Sequence, residues 1–306
     1  MFDYYAFLGS TRQCTERGSL SSGFVDCCSV CYYSEDKNKA RSFYMKYAQE
    51  VLCQIPEDLK FTQSLARIPD SNWLGFEISF TLKTPWYSKD DRVFHVLDNP
   101  VRKDRVFGVP YQSASTWKGL LRWACRMESG LVGYMEKTGM RFEGWKDPEW
   151  VSYLFGNERS QQKDFQRGSL VFYPSFFDKI DFEVINPHDR KTRAGTQPIY
   201  YEVVPPETEG KLQLLYAPYL GVAEPKNVDV NEALNCLLTA TERLLTVYGI
   251  SAKRTSGWGT TKIRSWKTLQ TGKDPIEESS LNLFKNKLKV IFETRLGGEL
   301  DGKQSS

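Results

Sequence analysis

The sequence predicts an α+β fold: a ferredoxin-like (RRM-like) βαββαβ core with long insertions and an extra N-terminal segment. Strand-patterned runs, longer runs with helical spacing, and their order along the chain predict it. That order is strand, helix, strand, strand, helix, strand, the split βαβ arrangement.

Residues 76–85 place Phe76, Ile78, Phe80 and Leu82 on one face, the period-two pattern of a half-buried strand. A polar, turn-rich stretch follows. Thr116 to Met127 then reads as a helix, with Leu120, Leu121, Trp123 and Ala124 clustered on one side and Ser115 as N-cap. Residues 168–177 open on a glycine and are rich in β-branched and aromatic side chains, so a strand is expected. Pro174 within it lacks an N–H and moves that strand toward an edge or a bulge. Residues 212–219 supply the third strand. From Asn231 to Tyr248, Leu234, Leu237, Leu238, Thr241, Leu244, Leu245 and Tyr248 keep helical spacing, and Gly249 stands where a C-cap glycine belongs. Gly259 to Trp266 closes the core as a strand.

Three regions follow from this order: an N-terminal cysteine-bearing segment over 1–72, the core with its insertions over 73–267, and a polar tail over 268–306. The first region carries an expected helix from Lys39 to Leu52, with Phe43, Tyr44, Tyr47, Ala48 and Val51 on one side. Leu281, Phe284, Leu288 and Ile291 give the tail one short amphipathic helix, and the end after Gly297 is expected to fray. Asn186 to Gly210, basic and proline-containing, separates the middle strands. A connection of that length is usually functional or disordered.

Hydrophobic residues make up 40% and charged residues 26%, an ordinary globular balance. With 41 basic against 38 acidic residues, bulk charge selects no nucleic-acid partner. Any such binding must come from local clusters. MFDYYAFLGS does not read as a signal peptide, and no apolar run reaches the roughly 20 residues that span a bilayer. The expectation is a cytoplasmic protein, without membrane contact, whose seven cysteines are reduced thiols or metal ligands.

Two clusters suit a ribose-phosphate chain. Ser115, Thr116, Lys118 and Arg122 open a helix, where backbone N–H groups, hydroxyls and cations make an anion site. The plainer alternative is an N-cap with solvated charges. Lys253, Arg254, Thr255 and Ser256 lie between glycines, with Trp258 available for stacking. Here the alternative is a hairpin turn over a buried Trp. Cys28 and Cys31 have the spacing of a zinc half-site. Cys14 and Cys27, or Cys53, would complete four ligands for a structural Zn2+; ordinary reduced cysteines are the other reading. His95 and His188 are the only histidines, and nothing requires them in acid–base catalysis.

Four ordered stretches resemble the RAMP superfamily of CRISPR-associated proteins, and within it the Cas-seven-like backbone subunits of type III effector complexes. Leu97-Asp98-Asn99-Pro100-Val101, with Lys103-Asp104 and Val109-Pro110-Tyr111 after it, resembles their Asp-x-Pro-Val segment. Ser115 through Arg122 resembles their Ser-Ser-x-Lys-Gly-x-x-Arg helix start. Leu154-Phe155-Gly156 and the following Gly168 to Phe172 resemble their Leu-Phe-Gly element and its strand. Gly249 to Gly259 resembles their glycine-rich loop. The sequence departs at Ser113-Ala114, where Pro-Gly is usual, and at Ser251 and Ala252, where glycine is usual.

The resemblance implies a guide-RNA-binding backbone subunit that serves antiviral defence. Its partners would be the CRISPR guide RNA, complementary target RNA, neighbouring backbone subunits and the other effector subunits. Lys118, Arg122, Lys253 and Arg254 would hold the guide. The stretch over 186–210 would form a thumb, with Arg190, Lys191 and Arg193 on phosphates and Ile199 and Tyr200 wedged against bases. Asp98 would cleave target RNA as an endoribonuclease, with Mg2+ or Mn2+. Read from the residues alone, Asp98-Asn99-Pro100 is also a natural turn, and Asp90, Asp91 and Asp104 lie nearby. Three alternatives stand beside it: a non-catalytic scaffold or cap subunit, a metal-independent guide-precursor processing ribonuclease, and a small-molecule enzyme on the same core.

Overall fold

The computed structural model describes residues 22–34, 36–50, 53, 55–57, 68–91, 94–157, 167–188, 191–195, 197–218 and 228–289. A mixed α/β architecture is built on an antiparallel sheet. Its strands are β1 (Leu74–Leu82), β3 (Leu170–Phe172), β7 (Glu209–Tyr216), β8 (Thr261–Leu269) and β9 (Ile276–Glu278), in the order β3-β7-β1-β8-β9. Two small ladders flank it: β2 (Tyr111–Gln112) with β4 (Ser175–Phe176), and β5 (Asp181–Ile185) with β6 (Ile199–Val203).

β1 lies in the middle because nearly all of it is apolar enough to be covered. It pairs with β7 from Leu74↔Tyr216 to Thr81↔Glu209, and with β8 from Gly75↔Leu269 to Leu82↔Thr261. Phe76, Ile78, Phe80 and Leu82, the residues of the period-two pattern, are buried in the main core. Trp117 and Leu121 of α3 (Ala114–Glu128) share that core with Leu234, Leu237 and Leu238 of α6 (Val230–Arg243).

The details differ from the sequence pattern where local chemistry decides. The cap of α3 is Ser113, not Ser115: Ser113 is extended and its side chain accepts from the Thr116 N–H at 3.2 Å, which places Ser115 inside the first turn. The run 168–177 breaks at Pro174 into β3, on the main sheet, and β4, paired with β2. The run 231–248 is continuous, but Leu244–Tyr248 widens into a π-turn before Gly249 ends it at φ 78°. The basic insertion forms its hairpin over Asp181–Val203, earlier than the expected 186–210. Short helices α4 (Leu131–Lys137) and α5 (Glu149–Phe155) were not legible in the pattern.

Before β1, α1 (Ser22–Ser34) packs on α2 (Lys37–Glu50). Asp36 starts α2 by accepting from the Asn38 and Lys39 N–H groups. The buried stripe of α2 is Ala40, Tyr44 and Ala48, while Phe43 of the expected face is 50% exposed; Val51 lies outside the described residues. Phe24, Cys28, Tyr44 and Ala48 form a second core with Val96, Leu97, Val109 and Ile180. The N-terminal helices therefore share a core with the loops after β1. Residues 281–289 are helical, with Phe284 against Trp266; Ile291 and the end after Gly297 lie outside the described residues.

Candidate nucleic-acid interface

The glycine-flanked loop over 249–259 is held by the segment that leaves β1. Trp86 Nε1 donates to the Ile250 carbonyl at 3.1 Å, the Ala252 N–H to Tyr87 at 2.8 Å, and the Gly259 N–H to Pro85 at 2.9 Å. Ser251 is buried, and its hydroxyl accepts from the Tyr87 N–H at 3.0 Å while donating to the Tyr87 carbonyl at 3.1 Å. A glycine there would lack both bonds, so this departure from the family pattern anchors the loop. Gly259 is required: its φ is 81°, and a Cβ would lie 2.3 Å from the Ser251 nitrogen.

The loop tip is a short 3-10 turn, Arg254–Ser256, with Thr255, Ser256 and Gly257 exposed. Lys253 Nζ sits 4.4 Å from the Tyr201 ring centroid and 5.9 Å from that of Trp258. Tyr87, Tyr201 and Trp258 meet edge-on, so Trp258 joins an aromatic cluster. Arg254 stacks 4.4 Å from the ring of Trp123 on α3, and burial holds its pKa down. One loop thus joins β6 and α3.

At the mouth of α3, Ser115 and Gly119 are exposed, and with Trp123 they follow each other at i, i+4, i+8 along one side. The hydroxyls of Ser115 and Thr116 lie 3.0 and 2.8 Å from that of Ser113. Lys118 is half-buried; burial, then the charge of Arg122, lowers its pKa. Arg122 is not the open phosphate ligand that the motif suggests. Its Nε and Nη2 donate to Asp147 at 2.9 and 2.6 Å, and Arg126 binds the same carboxylate at 2.6 and 2.9 Å. Asp147, with Trp145 also donating to it, is only 7% exposed. This cation is spent inside the protein.

In the β5–β6 hairpin, Lys191 and Arg193 are exposed near the tip, where His188 and Gly195 bridge. Arg190 lies outside the described residues. Ile199 and Tyr200 are half-buried on β6.

Asp98 stands apart from the other acids nearby. Its side chain is 76% exposed, and Arg41 Nη2 of α2 lies 3.6 Å from it. Asp90 is buried, Asp91 pairs with Arg105 at 3.1 Å, and Asp104 accepts from the Val106 and Phe107 N–H groups as a turn cap. Asn99 donates to the Tyr200 carbonyl at 3.2 Å, so the Asp98 loop abuts the hairpin. Among the described residues, no three His, Cys, Asp or Glu side chains form a metal site.

Among the described residues the cysteines do not gather into a zinc set. Cys27 is disulfide-bonded, against the expectation of reduced thiols throughout, and a disulfide sulfur is not a thiolate ligand. Burial pushes the thiols of Cys28 and Cys53 up to about 12. Cys31 is a free thiol, and Cys14 lies outside the described residues. His95 is buried and accepts from the Leu97 N–H, whereas His188 is exposed in the hairpin.

Sequence reasoning missed Arg41, Tyr87, Trp123 and Tyr201 as neighbours of the site. No local motif marks them. Only the packing of α2, β6 and α3 brings them there.

A model of the RAMP superfamily matches residues 79–262. Among solved structures, a chain of the type III-B Cmr-beta complex, seen by cryo-EM bound to cognate target RNA, is similar at TM-score 0.52 and 15% identity, covering 76% of this chain and 74% of that one. A chain in the crystal structure of the Csm3-Csm4 subcomplex of the type III-A CRISPR-Cas interference complex matches at TM-score 0.42 and 17% identity, covering 71% of this chain and 95% of that one. At such identities the first likeness is one of fold. No curated protein matches the chain by sequence. Among the described residues no helix is long and apolar enough to cross a membrane.

Proposed function

The chain belongs to the RAMP superfamily, and from that premise we propose that it is a guide-RNA-binding backbone subunit of a type III CRISPR ribonucleoprotein. The core would be ferredoxin-like: one helix follows β1, another follows β7, and the four central strands run β3-β7-β1-β8.

The observation that carries the reading is the meeting of three elements at one loop. Lys253 on Tyr201 ties the loop to the hairpin, and Arg254 on Trp123 ties it to α3. Cations for phosphates and half-buried rings for bases are what single-stranded RNA needs. Ser115 and Gly119 continue that track toward the helix mouth, and Lys191 and Arg193 extend it along the hairpin, a thumb in this reading. Sequence would be read by base pairing with the guide. Target RNA, neighbouring backbone subunits and the other effector subunits are the partners, in the cytoplasm.

Asp98 is the group for cleavage. Its carboxylate is exposed at the base of the hairpin, beside a cation. It takes the proton of a ribose 2′-hydroxyl; the 2′-oxygen bonds to the adjacent phosphorus, the bond from phosphorus to the 5′-oxygen breaks, and the 5′-oxygen takes a proton from water. The products are a 2′,3′-cyclic phosphate and a 5′-hydroxyl. Among the described residues one carboxylate facing Arg41 does not make a Mg2+ or Mn2+ site, and the proton transfer falls to that carboxylate.

The test is the chain expressed with its neighbouring subunits. RNA of guide length should copurify, and with Mg2+ or Mn2+ supplied, Asp98→Ala should abolish one cut per subunit in a complementary RNA. Copurified RNA with cleavage unchanged in Asp98→Ala would support the scaffold reading. Absence of RNA would overturn the proposal.

A further inference from the structure

We propose that Arg41, on a helix outside the family-matched residues, is a phosphate-binding residue of the RNA site and presents the linkage next to Asp98. The inference rests on the RNA-binding reading and deepens it. It assigns a role in that site to the N-terminal helices.

Three features carry it. Arg41 is clamped between two rings, its guanidinium carbon 5.4 Å from the centroids of both Tyr32 and Tyr200. Two ring contacts restrain the guanidinium, and a planar fork matches a phosphate better than a flexible ammonium does. The pairing with Asp98 is loose: at 3.6 Å it exceeds hydrogen-bond distance, and the carboxylate is 76% exposed. A phosphate oxygen therefore reaches the edge facing Asp98 without breaking a tight internal pair, unlike at Arg122, whose bonds to Asp147 are 2.6 and 2.9 Å. The guanidinium is also under-used inside the protein. Nη2 donates to the Tyr32 hydroxyl at 3.2 Å, while Nε is buried without a hydrogen-bond partner. An unpaired buried donor is costly, and the guanidinium as a whole, 22% exposed, keeps an edge within reach of a ligand.

Position gives the ligand. Tyr200 belongs to the hairpin and Asp98 to the loop that Asn99 bonds to it. A strand held by the hairpin passes this guanidinium as it reaches the carboxylate. Arg41 would then offset the charge that grows on the non-bridging phosphate oxygens while Asp98 takes the proton.

The experiment measures single-stranded RNA affinity against salt for the 306-residue chain and its variants. Arg41→Gln should flatten the slope of log K against log salt by about 0.7, the loss of one phosphate contact on a single strand. Arg41→Lys should keep the slope, yet in the complex assembled with its neighbouring subunits and guide RNA it should slow cleavage at the Asp98 linkage by roughly 10-fold through loss of the planar fork. An unchanged slope in Arg41→Gln would overturn the inference. Where Arg41→Gln does not fold, Arg41→Lys decides: cleavage at the wild-type rate overturns it. Wild-type protein with no salt-dependent RNA affinity would instead sink the functional reading beneath it.

Discussion

Lys103 Nζ lies 2.5 Å from Glu202 Oε2, and the two side chains are 6% and 0% exposed. Glu202 also accepts from the Tyr44 hydroxyl at 2.6 Å and the Val101 N–H at 2.9 Å, while Lys103 donates to Tyr44 at 2.9 Å. Three separate stretches meet in this one polar knot: α2, the segment after Asp98, and β6. The network sits one residue from Tyr201 on β6, and so sets the strand that contacts Lys253. A buried ion pair is tolerable only when its remaining donors and acceptors are satisfied.

Breaking that knot on one side should be severe. Glu202→Ala leaves a buried ammonium and a buried hydroxyl, and should cost about 3–5 kcal/mol. Tyr44→Phe should cost roughly 1–3 kcal/mol. Replacing both ions, with Lys103→Met and Glu202→Leu, should recover most of the loss. Urea unfolding midpoints at constant slope check all three.

Two glycines in one loop should behave differently. Gly257 has φ 78° but open space around its missing Cβ, so Gly257→Ala should cost only about 1–2 kcal/mol of left-handed strain. Gly259→Ala adds a clash with the Ser251 backbone and should distort the loop. RNA affinity should fall several-fold in the second variant and change little in the first, measured beside thermal unfolding.

Cations of the family motifs should separate by readout. Lys253→Ala should flatten the salt dependence of RNA binding by about 0.7. Arg122→Ala should leave that slope unchanged and lower stability instead, because its partner is Asp147. Equal slopes for the two variants would contradict this division.

Acid should weaken the Asp147 cluster. Burial alone would raise the pKa of this carboxyl, but hydrogen bonds from Arg126, Arg122 and Trp145 outweigh it and hold the pKa below 3.8. The unfolded chain therefore takes up the proton first. The contribution is complete above 3.8 and is lost as pH falls through the lowered value. Asp147→Asn should be less stable at neutral pH and should show a flatter acid limb in a series of unfolding curves.

The main elements were legible because their signals are local. Alternation at Phe76–Leu82 marked β1, and helical spacing from Asn231 to Tyr248 marked α6 and its π-turn together. Pro174 marked an edge or a bulge in the expected strand, and the run breaks there into β3 and β4 on separate sheets. The short helices α4 and α5 left too few turns for a period to show. The Ser113 cap was misplaced by two residues because neighbouring serines are equally good caps in one dimension.

By itself, the sequence marked the longest elements, β1, α3, α6 and β8, and the motifs of the superfamily. Which of its cations are tied up by a tight internal pair was decided only by tertiary structure. Arg122 and Arg41 look alike along the chain, yet one is locked on Asp147 and the other lies loosely beside Asp98. Periodicity and caps arise from contacts a few residues apart. The partner of a charged side chain is set by whatever distant element the core brings against it.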